Sequence, residues 1–463
     1  MVYNHCMKFI STRGGTPALS FTDILLQGLA SDGGLFVPET WPTLPNILPT
    51  DTYRDIAFKV ISPFTTGTIP DTALRTIIHE TYSSPIFDND DIAPLQPMGD
   101  DLYLMELFHG PTLAFKDVAL QFLGRVFDYV LEQNGQHITI VGATSGDTGS
   151  AAIEACKGRK NISITILHPH GRTSDIQRRQ MTSVMADNVH NIAIEGTFDD
   201  CQSLVKQCFG DSELRASKNL SAVNSINWAR IIAQTVYYVA TAKSLKTTPA
   251  FAVPTGNFGN VYAAWVGKQM GAPIGPLVIG SNRNDILTRF FESGTMSLDK
   301  VTPSYSPSMD IQISSNFERV LFDMVGRDSD KLNHWMRQFK ENGQFSVSPI
   351  ELERIKSEFT ARRCTDEQTV ETMSKIYRDH NIIIDPHTAV GIHALEHAGL
   401  VHHAPCVALA CAHPAKFPDV VKRATGITPP LPAHLADLMD RPEKYQVMAN
   451  DFATLRNHLM KID

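Results

Sequence analysis

The chain has 463 residues, of which 43% are hydrophobic and 19% charged, and its formal net charge is −8 at pH 7. That balance describes a folded protein too long for one core, so two or three domains are expected. There is no basic footprint for nucleic acid, no apolar stretch long enough to cross a bilayer, and no signal-peptide core in MVYNHCMKFISTRGG. A cytoplasmic protein without nucleic-acid or membrane partners is therefore expected. The cysteines are scattered, and Cys201/Cys208 and Cys406/Cys411 lack zinc-site spacing, so reduced thiols and no metal are expected.

The first stretch is loop-rich, punctuated by Gly14-Gly15, Gly33-Gly34 and several prolines. Beyond it, strand-like and helix-like segments alternate. Lys116 stands where Val118, Phe122, Leu123, Val126, Phe127 and Val130 begin a helical period. The positive end of a helix dipole disfavours an ammonium, and a neutral amine is what attacks an aldehyde. Asp117 pulls the other way, and the periodicity fits an ordinary solvated lysine equally well. His137–Val141 reads as a strand, and a small-residue helix follows from Gly149 to Cys156. Asn161–Leu167 and Asn191–Glu195 read as strands. Thr197 is an N-cap for a helix over 198–209, and a long helix covers 228–243. Ala250–Val253, Leu277–Ile279, Ile382–Ile384 and Cys406–Ala410 complete the strands. Such alternation predicts a pair of parallel sheets with helices on both faces. The stretch 302–363 shows no period that places it.

Three segments carry candidate chemistry. Val141–Ser150 reads strand, glycine loop, helix; its amides and the hydroxyls of Thr144, Ser145, Thr148 and Ser150 would suit a carboxylate or phosphate. A tight turn whose glycines merely permit positive φ is the alternative. Val253–Val261, with Gly256 and Gly259, has the same form and would suit a phosphate, or would simply connect two elements. Neither is a G-x-G-x-x-G loop or a P-loop. Cys411 ends an apolar strand, where open α/β sheets place ligand contacts, although a buried cysteine is ordinarily core.

Together these pieces resemble the pyridoxal-phosphate enzymes of the tryptophan-synthase-β fold type and, within them, the threonine synthase family. The resemblance runs through Phe9–Gly14, Leu26–Pro38, His109–Asp117, Thr144–Gly149, Asn224–Arg230, Gly256–Asn260, Asp385–Thr388 and Ala412–Phe417. It is weaker over 302–363, and its N-terminal block is similar to the longer microbial and fungal branch. It implies a PLP fold type II protein: two parallel-sheet α/β domains with an additional N-terminal domain. The implied division is 1–95 for the N-terminal domain, 96–240 for the lysine and substrate loop, and 241–463 for the phosphate loop and pyridine-nitrogen partner.

The resemblance also implies roles. Lys116 would hold pyridoxal 5'-phosphate as a Schiff base and move protons in catalysis. Gly256, Asn257, Phe258 and Asn260 would cradle the cofactor phosphate. Thr144, Ser145, Gly146, Asp147 and Thr148 would receive the amino-acid end of the substrate. Asn227 and Arg230 begin a helix in the substrate region, where Arg230 could grip a phosphate bidentately or serve an ordinary ion pair. Ser11, Thr12 and Arg13 would reach the site, and His109 would shuttle a proton or fix the loop before Lys116. Cys411 departs from the threonine usual at the pyridine-nitrogen partner position, and its thiol is the weaker donor. The implied reaction converts O-phospho-L-homoserine and water to L-threonine and phosphate. Two alternatives are a phospho-lyase releasing 2-oxobutyrate and a non-catalytic cofactor-binding relative. The expected assembly is a monomer or a homodimer.

Overall fold

Short apolar runs closed by glycine or proline become parallel strands in a computed structural model that describes residues 6–144, 146–400 and 405–462. Two compact units result. One comprises Met1–Phe115 and Ser225–Pro429, the other Lys116–Asn224 and Pro430–Asp463.

The first unit is built on a six-stranded sheet in the order Phe359–Arg363, Leu277–Ser281, Ala250–Pro254, Cys406–Ala410, Leu102–Glu106, Leu95–Pro97. All pairings are parallel except the last. Ala250–Pro254 and Cys406–Ala410 are fully buried runs, as parallel strands covered on both faces should be. Leu104, Ala252, Val278, Ile392, Leu395 and Ala408 belong to the core beneath one face. Phe9–Ser11 pairs antiparallel with Phe36–Pro38 near the start of the chain.

The second unit has five parallel strands in the order Gln446–Ala449, Val189–Glu195, Ile162–Pro169, Ile138–Ala143, Leu220–Ser221. Its edge strand and the helix Phe452–Lys461 come from the far end of the chain. Met448, Leu455 and Leu459 pack there with Val141, Leu167 and Ile192. Helix Lys116–Asn134 begins at Lys116 itself, and helix Asp147–Cys156 begins at Asp147.

The expected helices over 198–209 and 228–243 are observed as Phe198–Gly210, capped by Thr197, and Trp228–Leu245. One expected strand is corrected. Ile382–Ile384 is irregular chain, because Asp385 caps and Pro386 starts the next helix, Pro386–Ala398. Its isoleucines pack against the first unit's core without pairing. The unplaced stretch holds helices Phe317–Met324, Ser329–Asn342 and Pro349–Lys356 and the strand Phe359–Arg363.

Helices Lys116–Asn134 and Asp147–Cys156 touch through Gly124, where a Cβ would lie 2.4 Å from the backbone oxygen of Ala155. Helix-backbone atoms cannot yield as a flexible side chain can. Gly124→Val should therefore lower stability by roughly 2–3 kcal/mol in urea unfolding. An unchanged midpoint would show that the two helices part freely at this point.

Candidate functional site

In the first unit, two neighbouring parallel strands carry the expected cofactor residues at their C-terminal ends, where helix starts and loops gather in such sheets. Ala250–Pro254 runs into the loop of Gly256, Asn257 and Phe258, and helix Gly259–Gln269 follows. Phe258 adopts φ of 62°, a left-handed conformation costing of order 1–3 kcal/mol for such a residue. Its ring is held between Phe317 at 5.0 Å and Phe359 at 5.8 Å. The strained residue turns the chain so that the amides at the start of the helix face the loop.

The loop is fastened from the stretch that the sequence did not place. Ser314 Oγ donates to the Gly256 carbonyl at 2.7 Å, and Asn316 Nδ2 to that of Asn257 at 2.9 Å. A Cβ at Gly256 would stand 3.0 Å from the Ser308 carbonyl oxygen, so residue 256 has backbone against its back. Asp310 holds this buttress by accepting from Asn282 at 2.8 Å, Asn284 at 2.9 Å and Ser304 Oγ at 2.6 Å.

Asn260 is fixed from the helix Trp228–Leu245. Tyr237 and Tyr238, both fully buried, donate their hydroxyls to its Oδ1, the latter at 2.8 Å. The Nδ2 of Asn260 is buried without a hydrogen-bond partner among the described residues. Arg230 lies on the same helix, 4% exposed, with Nε and Nη1 buried and unpartnered among the described residues. Burial lowers its guanidinium from the ordinary value to about 10, which leaves it charged at neutral pH. An uncompensated buried charge costs several kcal/mol. A buried cation and a buried amide donor, both lacking acceptors, fit anionic ligands. Asn227 is engaged within the protein: its Oδ1 caps the helix by accepting from Ala229 N–H at 3.0 Å, and its Nδ2 donates to Leu25 O at 2.9 Å.

Cys411 is buried directly after its strand. Its N–H donates to Thr388 Oγ1 at 3.3 Å, and its carbonyl accepts from Phe115 N–H at 2.8 Å. The segment leading into residue 116 thus runs antiparallel beside residues 411–413, with a bridge between Ala114 and Ala412. Asp385 secures this corner. Its carboxylate accepts from the Thr388 hydroxyl and from His387 Nδ1 at 2.8 Å, and His387 Nε2 in turn accepts from Ser308 N–H at 3.3 Å. One buried acid therefore links the Cys411 end to the backing of the Gly256 loop.

Ser11, Thr12 and Arg13 turn to acidic partners in the same unit. Ser11 bonds Asp32 at 2.8 Å, Thr12 bonds Glu318 at 2.6 Å, and Arg13 pairs with Glu318 at 2.9 Å.

In the second unit, Lys116 and Asp147 meet, with Nζ and Oδ2 3.6 Å apart and both side chains buried. The Thr144 hydroxyl oxygen accepts from the amides of Gly146 at 3.0 Å and Gly149 at 2.9 Å. Thr144 therefore shapes the loop whose amides would receive a ligand. Thr148 lies in the first turn of the helix that begins at Asp147. Ser145 lies outside the described residues.

Neighbouring residues that the pattern did not reveal are Tyr237, Tyr238, Ser314, Asn316 and Gln177. The tyrosines had a signal: Arg230, Gln234, Tyr237 and Tyr238 put polar groups at i, i+4, i+7 and i+8 of an otherwise apolar helix. The others act through contacts distant in sequence.

His109 sits between Asp88 at 2.7 Å and Glu106 at 2.9 Å. Burial would lower its pKa, but the hydrogen bonds it donates to Glu106 and Asp88 and their charges outweigh it, so the value lies above the ordinary 6.5. An imidazolium held on both nitrogens suits loop fixing better than proton shuttling. His413 is the opposite case: burial, then the charge of His109, pushes it down to about 4. The folded state holds the His109 proton more tightly than the unfolded chain does. That stabilisation is whole below pH 6.5 and is lost as pH rises through the raised folded value. Across that rise the wild type should lose unfolding free energy relative to His109→Gln. Parallel pH–stability curves would contradict the clamp.

Comparison with known proteins covers nearly the whole chain. Residues 8–82 match the profile described as threonine synthase N terminus, 85–412 that of pyridoxal-phosphate dependent enzymes, and 388–459 that of threonine synthase, C-terminal. A threonine synthase from Pseudomonas aeruginosa is 49% identical over 461 residues, covering 97% of each chain. That of Saccharomyces cerevisiae is 43% identical, covering 91% of this chain and 90% of its own. The crystal structure of PLP-bound threonine synthase from Brucella melitensis superposes with a TM-score of 0.95 at 48% identity, covering 98% of this chain and 99% of the other. The fold is therefore PLP fold type II, with the N-terminal domain that threonine synthases carry, and the chain belongs to the threonine synthase family.

Proposed function

We propose that this chain converts O-phospho-L-homoserine and water to L-threonine and phosphate, with pyridoxal 5'-phosphate as cofactor. The observation that carries the reading is Arg230, a buried cation whose Nε and Nη1 find no acceptor among the described residues. A substrate phosphate would supply that acceptor through two parallel, charge-assisted bonds. Full-length similarity to threonine synthases from several organisms supports the same assignment.

The residues fit the cofactor. The loop Gly256–Phe258, the helix start at Gly259 and the unpartnered Nδ2 of Asn260 would hold its phosphate. Lys116 would be its attachment point, and the Cys411 thiol would face its ring nitrogen as an uncharged partner. When bound, the cofactor supplies an electron-accepting ring that stores charge as a proton leaves the substrate's α-carbon.

The chain's own groups would then do the rest. Amides of the loop Thr144–Thr148 would fix the substrate carboxylate, and Arg230 would hold the phosphate as it leaves. Asn227 would set the start of the helix that bears Arg230. With both ends of the substrate fixed, one lysine amine can take a proton from one carbon and return it to another. Water adding at Cβ completes threonine, and its exclusion would divert the reaction to 2-oxobutyrate.

The test is a visible spectrum of the cofactor-loaded chain before and after O-phospho-L-homoserine, with products assayed. Threonine and phosphate should appear in equal amounts. 2-Oxobutyrate as the main product would favour the phospho-lyase, and a chain that binds no cofactor would remove both readings. Lys116→Ala should lose the bound-cofactor band and turnover together. Cys411→Thr should shift that band or the cofactor affinity, and identity with wild type in both would withdraw the thiol contact.

Arg230→Met separates ligand binding from support of the fold. Each hydrogen bond to a charged group is worth about 1.5–3 kcal/mol, so KM for the phosphorylated substrate should rise roughly 100-fold. Thermal stability should hold or improve, since an unpaired buried charge is removed. Lowered stability with an unchanged KM would count against a phosphate at Arg230.

A further inference from the structure

Asp147 was expected to bind substrate, yet a carboxylate side chain repels the substrate's own carboxylate. Its surroundings suggest other work. The Lys116 ammonium lies 3.6 Å from Asp147 Oδ2, and Gln177 Nε2 donates to Asp147 Oδ1 at 2.9 Å. Gln177 is itself fixed. Ser174 Oγ donates to its Oε1 at 3.0 Å and accepts from its backbone N–H at 3.3 Å. The fit leaves no slack at residue 146. A Cβ there would meet the Gln177 carboxamide at 2.4 Å, and Gly146 has φ of 152°.

We propose that Asp147 is the charge partner that sets the proton affinity of the Lys116 amine, and that Gln177 is the residue that positions it. The inference rests on Lys116 being the reactive amine of the function proposed above. Lys116 opens helix Lys116–Asn134, whose dipole disfavours an ammonium there. Asp147 opens helix Asp147–Cys156, whose dipole favours a carboxylate there. The carboxylate offsets the first effect and stabilises the ammonium formed when the amine takes a proton from carbon. Pinning by Gln177 keeps that offset constant while the proton comes and goes.

Other charged groups on these elements have their own partners or lie further along. Glu154 pairs with Lys157, and Arg125 bonds Gln121. Asp128 accepts from Asn161, and Arg178 pairs with Asp175 and Glu443. Arg179 reaches Glu443 at 3.6 Å. Asp117, next to Lys116 and fully buried, is common to wild type and variants.

The experiment is competitive acetylation of the full-length, cofactor-free chain with acetic anhydride across pH. Lys116 is quantified by mass spectrometry against an added free amine. Loss of an opposite charge at this range shifts a pKa by about one unit or more, so Asp147→Asn should move the Lys116 midpoint down by at least about one pH unit. Gln177→Met should move it in the same direction by less, with its thermal midpoint unchanged. A purely structural glutamine would do the reverse, lowering the thermal midpoint and leaving the labelling where it was.

A folded Asp147→Asn chain with an unmoved midpoint overturns the charge partnership, as does an upward shift. If that variant does not fold, Gln177→Met decides alone, and an unmoved Lys116 midpoint overturns the proposal. The labelling uses neither cofactor nor substrate. A loaded wild type that makes threonine while the midpoint stays put sinks this inference only. A wild type that makes none sinks the proposed reaction, whatever the labelling shows.

Discussion

The close approach of two helices at Gly124 is the constraint on which the pairing of Lys116 with Asp147 depends. Lys116 and Asp147 each open one of the pair, so the separation of two opposite charges follows from how tightly the helix bodies can pack. A larger residue at the crossing would act on the ion pair without touching it. Dipoles, charges and a missing Cβ therefore form one mechanical unit. The fold contributes an address for the amine as well as a wall around it.

The first unit applies the same economy to anions. Among the described residues, Arg230 Nε and Nη1 and Asn260 Nδ2 are buried donors left open, while several groups that hold them and the neighbouring loop are engaged. Tyr237 and Tyr238 occupy the amide oxygen of Asn260, so only its nitrogen remains to face a guest. Asp385 occupies Thr388 and His387, which in turn hold Cys411 and Ser308. Saturated networks of this kind are rigid, and rigidity lets an unsatisfied donor wait for a ligand rather than turn to a neighbour.

Much of this was legible in the residues, and the reasons differ by element. Helix Lys116–Asn134 and helix Trp228–Leu245 announced themselves because each is long enough for a 3.6-residue period to repeat several times. The glycine loops were legible because few other residues let backbone approach so closely. Edge strands were not. Phe359–Arg363 ends in two exposed arginines and Gln446–Ala449 has a single buried residue, so neither shows the apolar run of a central strand. Ile382–Ile384 misled for the opposite reason, since three apolar residues suit buried coil as well as a strand. The buttress at 304–316 is held by side chains bonded to backbone, which leaves no period to find. Gln177 was invisible because its meaning lies in residue 147, thirty positions away.

The second unit also carries a lesson about synthesis. Helix Asp175–Thr182, which bears Gln177, is gripped from its far side by the segment before the last strand. Glu443 pairs with Arg178 and accepts from Thr182 Oγ1 at 2.7 Å, while Lys444 N–H donates to the Thr182 carbonyl at 2.6 Å. Those partners are more than 260 residues apart in the chain. A ribosome emits residues 116–224 well before the residues that brace them, with the second segment of the first unit, 225–429, in between. Until then the strand Val189–Glu195 keeps an open edge, the kind of exposed ladder that invites pairing with another chain. Completion of the lysine-bearing half thus waits for residues beyond 430, and a nascent chain that stalls short of them leaves the helix of Gln177 without its brace.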